Sequence, residues 1–374
     1  MRICIDGTPL LTNSAGIKTY LYHWIKSLRA LQGDRVRVFP LIGDLGVLDH
    51  ERSVAGSMET RLRLTAVGQL NKTIHLDWLA AMLSDRAEVF HSSNLVQNPP
   101  RKQLLTTTIH DLTTWIVPKL HTPQNVAADR IFAERVVKKA QRCIAVSHST
   151  RKDAVEILGI PEDKIEVIHH GVADSYIEAS NEEASRVARK YQLTRPYILF
   201  HGAIEPRKNI DLLLDAYEAL PGSLREEFDL VLTGIMGWAA GSTVARLRTL
   251  PSSIRYLGYV PERDMPGLTR GAVLFVYPSL YEGFGFPVLQ AMACGIPTIT
   301  SNNSSLPEIA GDVALLVDPC SVSELREAMQ KVLLSPSLRI RMAEQGRERA
   351  KRFRWPDAAA KSWAFFERTL GGKI

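Results

Sequence analysis

The sequence predicts an α/β protein of two consecutive doubly wound domains, and three observations carry that reading. The chain has 374 residues, well beyond the common domain size of about 100–200 residues, so two hydrophobic cores are expected. Short β-branched runs alternate with longer stretches of helical periodicity over nearly the whole length, as βαβ units around parallel sheets require. That alternation lapses once, in the polar stretch ASNEEASRVARKYQLTRP, and resumes at YILFHGAI.

In the first half the expected strands are Arg2 to Asp6, Val36 to Leu41, Val89 to His91, Leu104 to Ile109, Cys143 to Val146 and Lys164 to Ile168, with helical stretches between most of them. A linker is expected near Asp174 to Thr194, after His169-His170-Gly171. The second half continues through YILFHGAI, DLVLTG, IRYLGYV, VLFVYPS, IPTITSN and VALLVDP, with a helix in nearly every gap. In such sheets ligands bind beyond the carboxyl ends of the strands. The informative loops are therefore Gly7 to Gly16, His110-Asp111, Ala203 to Asn209, Gly234 to Trp238, Tyr259 to Arg263, Ser279 to Pro287 and Ser301 to Leu306.

Composition narrows the class of function. A hydrophobic fraction of 45% with 23% charged residues is ordinary for a soluble globular protein, and no stretch is apolar enough to cross a bilayer. The N-terminus MRICIDGTPL reads as a short buried strand without the features of a secretory signal, so a cytoplasmic location is expected. Cys4, Cys143, Cys294 and Cys320 are scattered, without C-x-x-C spacing, and read as free thiols. A formal charge of +6 favours anionic partners without choosing among nucleotides, phospholipid headgroups and nucleic acid.

The strongest chemical signal is SLYEGFGFPVLQAMACGIPTITSN, where a strand ends, a glycine-rich loop carries Glu282, and a helix begins at about Pro287. Gly283 and Gly285, flanking Phe284 and followed by Phe286, permit close backbone approach. The helix start offers N–H groups and positive dipole to a diphosphate. A carboxylate beside a phosphate site repels the phosphate, so Glu282 suits the hydroxyls of an attached sugar; its alternative is a helix-capping acid. In FHGAIEPRKNI a strand delivers Gly202, Glu205, Arg207 and Lys208 just before a helix that Asn209 is placed to cap. Adjacent cations there suit a pyrophosphate, Arg as a fork and Lys as a point charge, the alternative being a solvated surface pair.

Taken together, G-x-x-x-x-R-K-N followed by E-G-F-G-x-P-x-x-x-A-M-A-C-G-x-P resembles the retaining glycosyltransferase family 4. GIKTY, TTIHDL and AVSHSTRKD are similar to further segments of that family, so the resemblance covers the whole chain. It implies the GT-B fold, with two Rossmann-like domains facing across a cleft. The first, residues 1–180, would bind acceptor; the second, residues 190–355, would bind sugar nucleotide; a helix at 356–374 would cross back to the first. Trp363, Phe365 and Phe366 in that helix would be packing anchors.

The resemblance also assigns roles. His110 would lie against the donor sugar, with Asp111 beside it, and would position the sugar while the departing phosphate takes the acceptor proton. Core packing is the other reading of His110. Gly16 would let backbone approach diphosphate and acceptor, although a glycine before a helix also reads as a plain turn. Tyr259 and Val260 would grip the nucleotide base through backbone groups, with Gly234 in a neighbouring loop. The family's paired acids lie eight positions apart, and here Glu282 is followed by Gln290. A carboxylate accepts from both ribose hydroxyls, whereas an amide has one acceptor oxygen, so ribose binding would be weaker or differently arranged, unless Gln290 is an ordinary helix residue.

No D-x-D pair occurs, so transfer without a metal or other cofactor is expected, the diphosphate being neutralised by Arg207, Lys208 and helix dipoles. The expected activity is transfer of a hexose, mannose from GDP-mannose in the first instance, to a saccharide or lipid-linked saccharide in cell-surface polysaccharide synthesis. A GT-B-like epimerase or phosphorylase, or a catalytically weak sugar-nucleotide binder, are the alternatives. Basic residues in RVVKKAQR and RERAKRFRW read as solvated faces, with loose attachment to an anionic membrane as the other reading. Nucleic acid is disfavoured, because no stripe of basic residues interleaved with stacking aromatics occurs. A dinucleotide dehydrogenase is excluded by the absence of G-x-G-x-x-G after the first strand.

Overall fold

The computed structural model describes residues 1–11, 15–39, 87–93, 96–238 and 241–372. The chain divides into two compact units, one formed by Met1–Gly171 together with Arg354–Ile374, the other by Val172–Phe353.

Among the described residues, the first unit holds a six-stranded sheet in the order β2-β1-β3-β4-β5-β6, with strands Ile3–Asp6 (β1), Val36–Phe39 (β2), Val89–Ser92 (β3), Leu104–Ile109 (β4), Arg142–Ala145 (β5) and Ile165–Val167 (β6). All pairings are parallel. β1, β3 and β4 are buried along their length, as strands covered on both faces must be. Pro40 and Leu41, expected to extend β2, and Thr12 to Ser14 of the first expected loop lie outside the described residues.

The helix Ala15–Gln32 buries Tyr20, Leu21, Trp24, Ile25 and Leu28, a stripe at helical spacing. The helix Trp355–Gly371 packs against it: the Trp24 indole N–H donates to Ser362 Oγ at 2.9 Å, and Phe365 and Phe366 are fully buried. Arg368 grips both carboxylate oxygens of Glu166 at 2.6 and 2.8 Å. The segment after Arg354 thus completes the core of the first unit.

The second unit holds strands Tyr197–His201 (β7), Asp229–Thr233 (β8), Ile254–Tyr256 (β9), Leu274–Tyr277 (β10), Thr298–Ser301 (β11) and Leu315–Val317 (β12), all parallel, in the order β12-β11-β10-β7-β8-β9. Counted within the unit this is the 3-2-1-4-5-6 order of the doubly wound nucleotide-binding sheet, which reverses between its first and fourth strands, β7 and β10. The crevice at that reversal is where such sheets bind ligands.

The polar stretch expected to be a linker instead contains the helix Asn181–Lys190, which belongs to the second unit. Ser180 Oγ caps it by accepting from Glu183 N at 3.2 Å. Only Ala184 and Val187 are buried on it, so its apolar stripe is too thin to be recognised by periodicity. Ionic contacts hold it instead: Arg186, Lys190 and Tyr191 all donate to the fully buried carboxylate of Asp264.

Cys4, Cys143 and Cys294 are buried free thiols and Cys320 is an exposed one. Burial pushes Cys4 and Cys143 up to about 12, which leaves them inert.

Candidate active site

β7 and β10 are adjacent, so the loops that follow them, Gly202–Asn209 and Pro278–Gly285, emerge side by side. Pro206 opens a single 3-10 turn in the first, which brings Arg207 and Lys208 back over the strand end. In the second, Gly285 takes φ +103° and initiates the helix Phe286–Ala293, with Pro287 in its first turn. A Cβ on Gly285 would stand 2.8 Å from Leu306 Cδ2, so the residue is required for both conformation and space.

The two loops meet in one ionic cluster. Lys208 Nζ donates to Glu282 Oε1 at 2.6 Å and to Tyr277 Oη at 2.7 Å. Arg207 Nη1 lies 2.9 Å from Glu282 Oε2 and donates to Tyr281 O at 2.6 Å, while its Nη2 donates to Glu205 Oε1 at 2.8 Å. Tyr277 Oη at 3.0 Å and Ser279 Oγ at 2.7 Å complete the donors to Glu282 Oε1. Burial alone would raise the Glu282 carboxyl, but the Arg207 and Lys208 charges and the hydrogen bonds outweigh it and bring it down to about 2.

This geometry refines the expectation of a cationic cradle. Two acids and two bases share the cluster, so its formal charge is zero, and Glu205 is engaged with Arg207. Glu282 Oε1 is saturated by Lys208, Tyr277 and Ser279, whereas among the described residues Oε2 accepts only from Arg207 and keeps capacity for a further donor. Asn209 is also reassigned. It stands at the start of the helix Ile210–Glu218 with φ +59°, but its side chain makes no cap. Instead Nδ2 donates to Pro278 O at 3.1 Å and Pro319 O at 2.7 Å, tying together the loops around the cluster.

The neighbouring predicted residues converge at the ends of β7, β8 and β9. A Cβ on Gly234 would fall 1.8 Å from Gly202 O, so the two loops touch through backbone there. Gly234 N donates to Gly258 O at 2.9 Å, which draws in the Tyr259-Val260 loop. Tyr259 is 56% exposed and Val260 is buried, an open aromatic face over a packed base. Phe284 is buried edge-on to Phe286, with ring centroids 5.2 Å apart, and shapes the floor of the glycine loop. Gln290 is buried on the helix Phe286–Ala293, and its side-chain amide makes no hydrogen bond among the described residues.

In the first unit, His110 and Asp111 follow β4 directly. Asp111 Oδ1 accepts from Thr113 N at 3.0 Å and Thr113 Oγ1 at 2.6 Å, which turns the chain into a short helix. Tyr20 packs edge-on against His110 with centroids 5.1 Å apart, which relates the strand end to the helix whose exposed start carries Gly16. Burial lowers His110 to about 4 against the opposing pull of Asp111, so the imidazole is neutral at physiological pH. Its Nε2 is sheltered and without a hydrogen-bond partner among the described residues.

Sequence reasoning missed Tyr277, Ser279, Ser304 and Ser305. All sit in loops flagged as informative or at the strand end before one, but a hydroxyl carries no motif of its own.

Comparisons with known proteins identify the family of the chain. Residues 181–349 match the family model for glycosyl transferases group 1, and residues 14–176 match that for glycosyltransferase family 4. The chain is 35% identical over 375 residues to the O-antigen chain mannosyltransferase B of Escherichia coli, covering 97% of this chain and 98% of that protein. Among solved structures it resembles a sucrose-phosphate synthase from Thermosynechococcus elongatus, with a TM-score of 0.77, 16% identity and 100% of both chains covered. It also resembles HepE of Anabaena in complex with UDP and glucose, with a TM-score of 0.71, 18% identity, and 98% and 99% covered. The two family-model matches, 35% identity over nearly the full length of a mannosyltransferase and, among the described residues, two parallel six-stranded sheets place this chain among the family 4 glycosyltransferases of the GT-B fold.

Proposed function

We propose that this glycosyltransferase moves mannose from GDP-mannose, with retention of anomeric configuration and without a metal, onto a saccharide or lipid-linked saccharide in O-antigen-like polysaccharide synthesis. The observation that carries the reading is the buried cluster of Arg207, Lys208 and Glu282 at the β7/β10 reversal. The 35% identity to an O-antigen chain mannosyltransferase, over 97% of this chain, supports the choice of sugar and acceptor class.

The residues divide the work by their chemistry. Glu282 Oε2 accepts from a hydroxyl of the donor sugar, because that is the carboxylate oxygen with capacity left. Lys208, with one N–H beyond its bonds to Glu282 and Tyr277, and Arg207 stabilise the charge that develops on the leaving diphosphate. The first-turn amides of the helix Phe286–Ala293 add fixed dipoles at the same place. Gln290 receives a ribose hydroxyl with its single amide oxygen. His110, neutral, offers a hydrogen bond to the sugar and takes no part as a base; the departing phosphate receives the acceptor proton.

The test is a turnover assay with GDP-mannose and an oligosaccharide acceptor, in buffer with EDTA. GDP release only in the presence of acceptor, with a product of unchanged anomeric configuration by NMR, is the expected result. Failure of GDP or any other nucleoside diphosphate to raise the melting temperature would overturn the donor assignment.

A further inference from the structure

We propose that Ser304, with its neighbour Ser305, is a positioning residue that aims the Glu282 carboxylate at the donor sugar by holding both sides of the Glu282 peptide. The inference rests on the sugar-anchoring role of Glu282 proposed above.

The segment after β11 is stitched to the segment after β10 almost residue by residue. Thr300 Oγ1 donates to Tyr277 O at 2.8 Å, Ser301 Oγ to Ser279 O at 2.7 Å, and Asn303 Nδ2 to Leu280 O at 2.9 Å. At Glu282 the clamp becomes two-sided. Its N–H donates to Ser304 Oγ at 3.1 Å, and its carbonyl accepts from Ser305 Oγ at 2.9 Å. Ser305 Oγ also reaches Phe284 O at 2.9 Å, sharing its one hydrogen across the glycine loop. Apart from a long backbone contact from Ser305 N to Glu282 O at 3.5 Å, each link joins a side chain on one segment to backbone on the other, so side-chain identity in Ser301 to Ser305 sets the course of the acidic loop. Glu282 has few torsions between its peptide and its carboxylate, and Lys208, Tyr277, Ser279 and Arg207 converge on that carboxylate from fixed points. A shift of the peptide therefore moves the charge.

Backbone conformation distinguishes Ser304 from an incidental contact. Its φ is +54°, a region glycine enters freely and serine enters at a cost. Among the described residues only Gln192, Asn209 and Ser304 are non-glycine residues with positive φ. Two of these three hold the loop of Glu282: Asn209 through Pro278 O, and Ser304 through Glu282 N. Strain retained at a site in this way points to the side chain that requires it.

Because glycine fits the backbone, Ser304→Gly removes the acceptor of the Glu282 N–H without straining the fold. Ser304→Ala removes the same acceptor and keeps the strain. Calorimetry with GDP and with GDP-mannose, together with melting temperatures and turnover, separates the two. Both variants should bind GDP as the parent does and lose the added affinity conferred by mannose. Both should also lose kcat by on the order of tenfold to a hundredfold, the scale of an ångström-sized misplacement. Both should melt below the parent for the unpaired N–H, Ser304→Ala further than Ser304→Gly, because only glycine relieves the positive φ. Parent-like turnover and mannose discrimination in Ser304→Gly would overturn the proposal, even where Ser304→Ala shows losses, since the missing acceptor is common to both variants. A parent protein that binds GDP yet neither discriminates nor turns over the mannose conjugate overturns the donor reading itself, a separate outcome.

Discussion

Lys208 Nζ and Glu282 Oε1 lie 2.6 Å apart with both side chains buried, so each residue keeps the other's charge inside the second unit. Removing one partner strands the other. Lys208→Met is expected to cost about 3–5 kcal/mol of stability, the usual consequence of an uncompensated buried charge, softened where Arg207 takes over. Adding Glu282→Gln should restore much of that stability and none of the turnover. Denaturant unfolding of the two single variants and the double variant measures the coupling, and additive losses would refute it.

Stability should depend on pH through buried histidines first and Glu282 second. Burial lowers His91 to about 3, His110 to about 4 and His201 to about 4 from an ordinary 6.5, so these rings stay neutral in the fold while the unfolded chain takes up protons. The unfolded state then binds more protons as pH falls below about 6.5, and stability declines by about 1.4 kcal/mol per pH unit for each ring. Glu282, held at about 2 in the fold, adds a second loss that begins below its ordinary 4.5. Denaturation midpoints at a series of pH values test this, and a flat profile between about pH 4.5 and pH 6.5 contradicts it.

Turnover should be insensitive to His110 titration near neutrality. A ring lowered to about 4 is already neutral there, so kcat/KM should show no limb near 6.5. His110→Ala is expected to lower kcat through lost positioning and to leave the shape of the pH profile unchanged. A new or missing limb in that variant would show His110 acting as a general base instead.

Two glycines make a contrasting pair. Gly234→Ala would drive a Cβ to within 1.8 Å of Gly202 O at φ +148°, and should abolish soluble protein or lower its melting point severely. Gly222 lies in the first turn of a helix with nothing within 4 Å of where a Cβ would stand, so Gly222→Ala should stabilise by up to about 1 kcal/mol. Thermal melts of both decide the matter.

What could be read from the sequence follows the range of the interactions involved. The turn at Gly285-Phe286-Pro287 was legible because proline in a first helical turn and glycine at a positive φ are local requirements. Strands and the two-core organisation were legible from periodicity, and the helix Trp355–Gly371 through the family resemblance, which implies a helix over 356–374. The helix Asn181–Lys190 was not, since its anchor Asp264 lies more than seventy residues away (|i−j| = 78 for Arg186). Ser180 and Glu183, spaced as a helix-starting pair, were the available signal. Arg207, Lys208 and Glu282 were legible as residue types in the right loops. Their mutual neutralisation was not, because it depends on rotamers across two strands.

The route of the chain through its first unit bears on the order in which the protein is made. Residues Val172–Phe353 are contiguous and can collapse as soon as they leave the ribosome, whereas the earlier half must wait for the segment beginning at Arg354 before Trp24 finds Ser362. At about 5–20 residues per second, the N-terminal sheet spends many seconds with one flank uncovered while the later unit is synthesised and folds ahead of it. Nascent chains halted before that closing segment should accordingly expose the Trp24 face to chaperones and proteases.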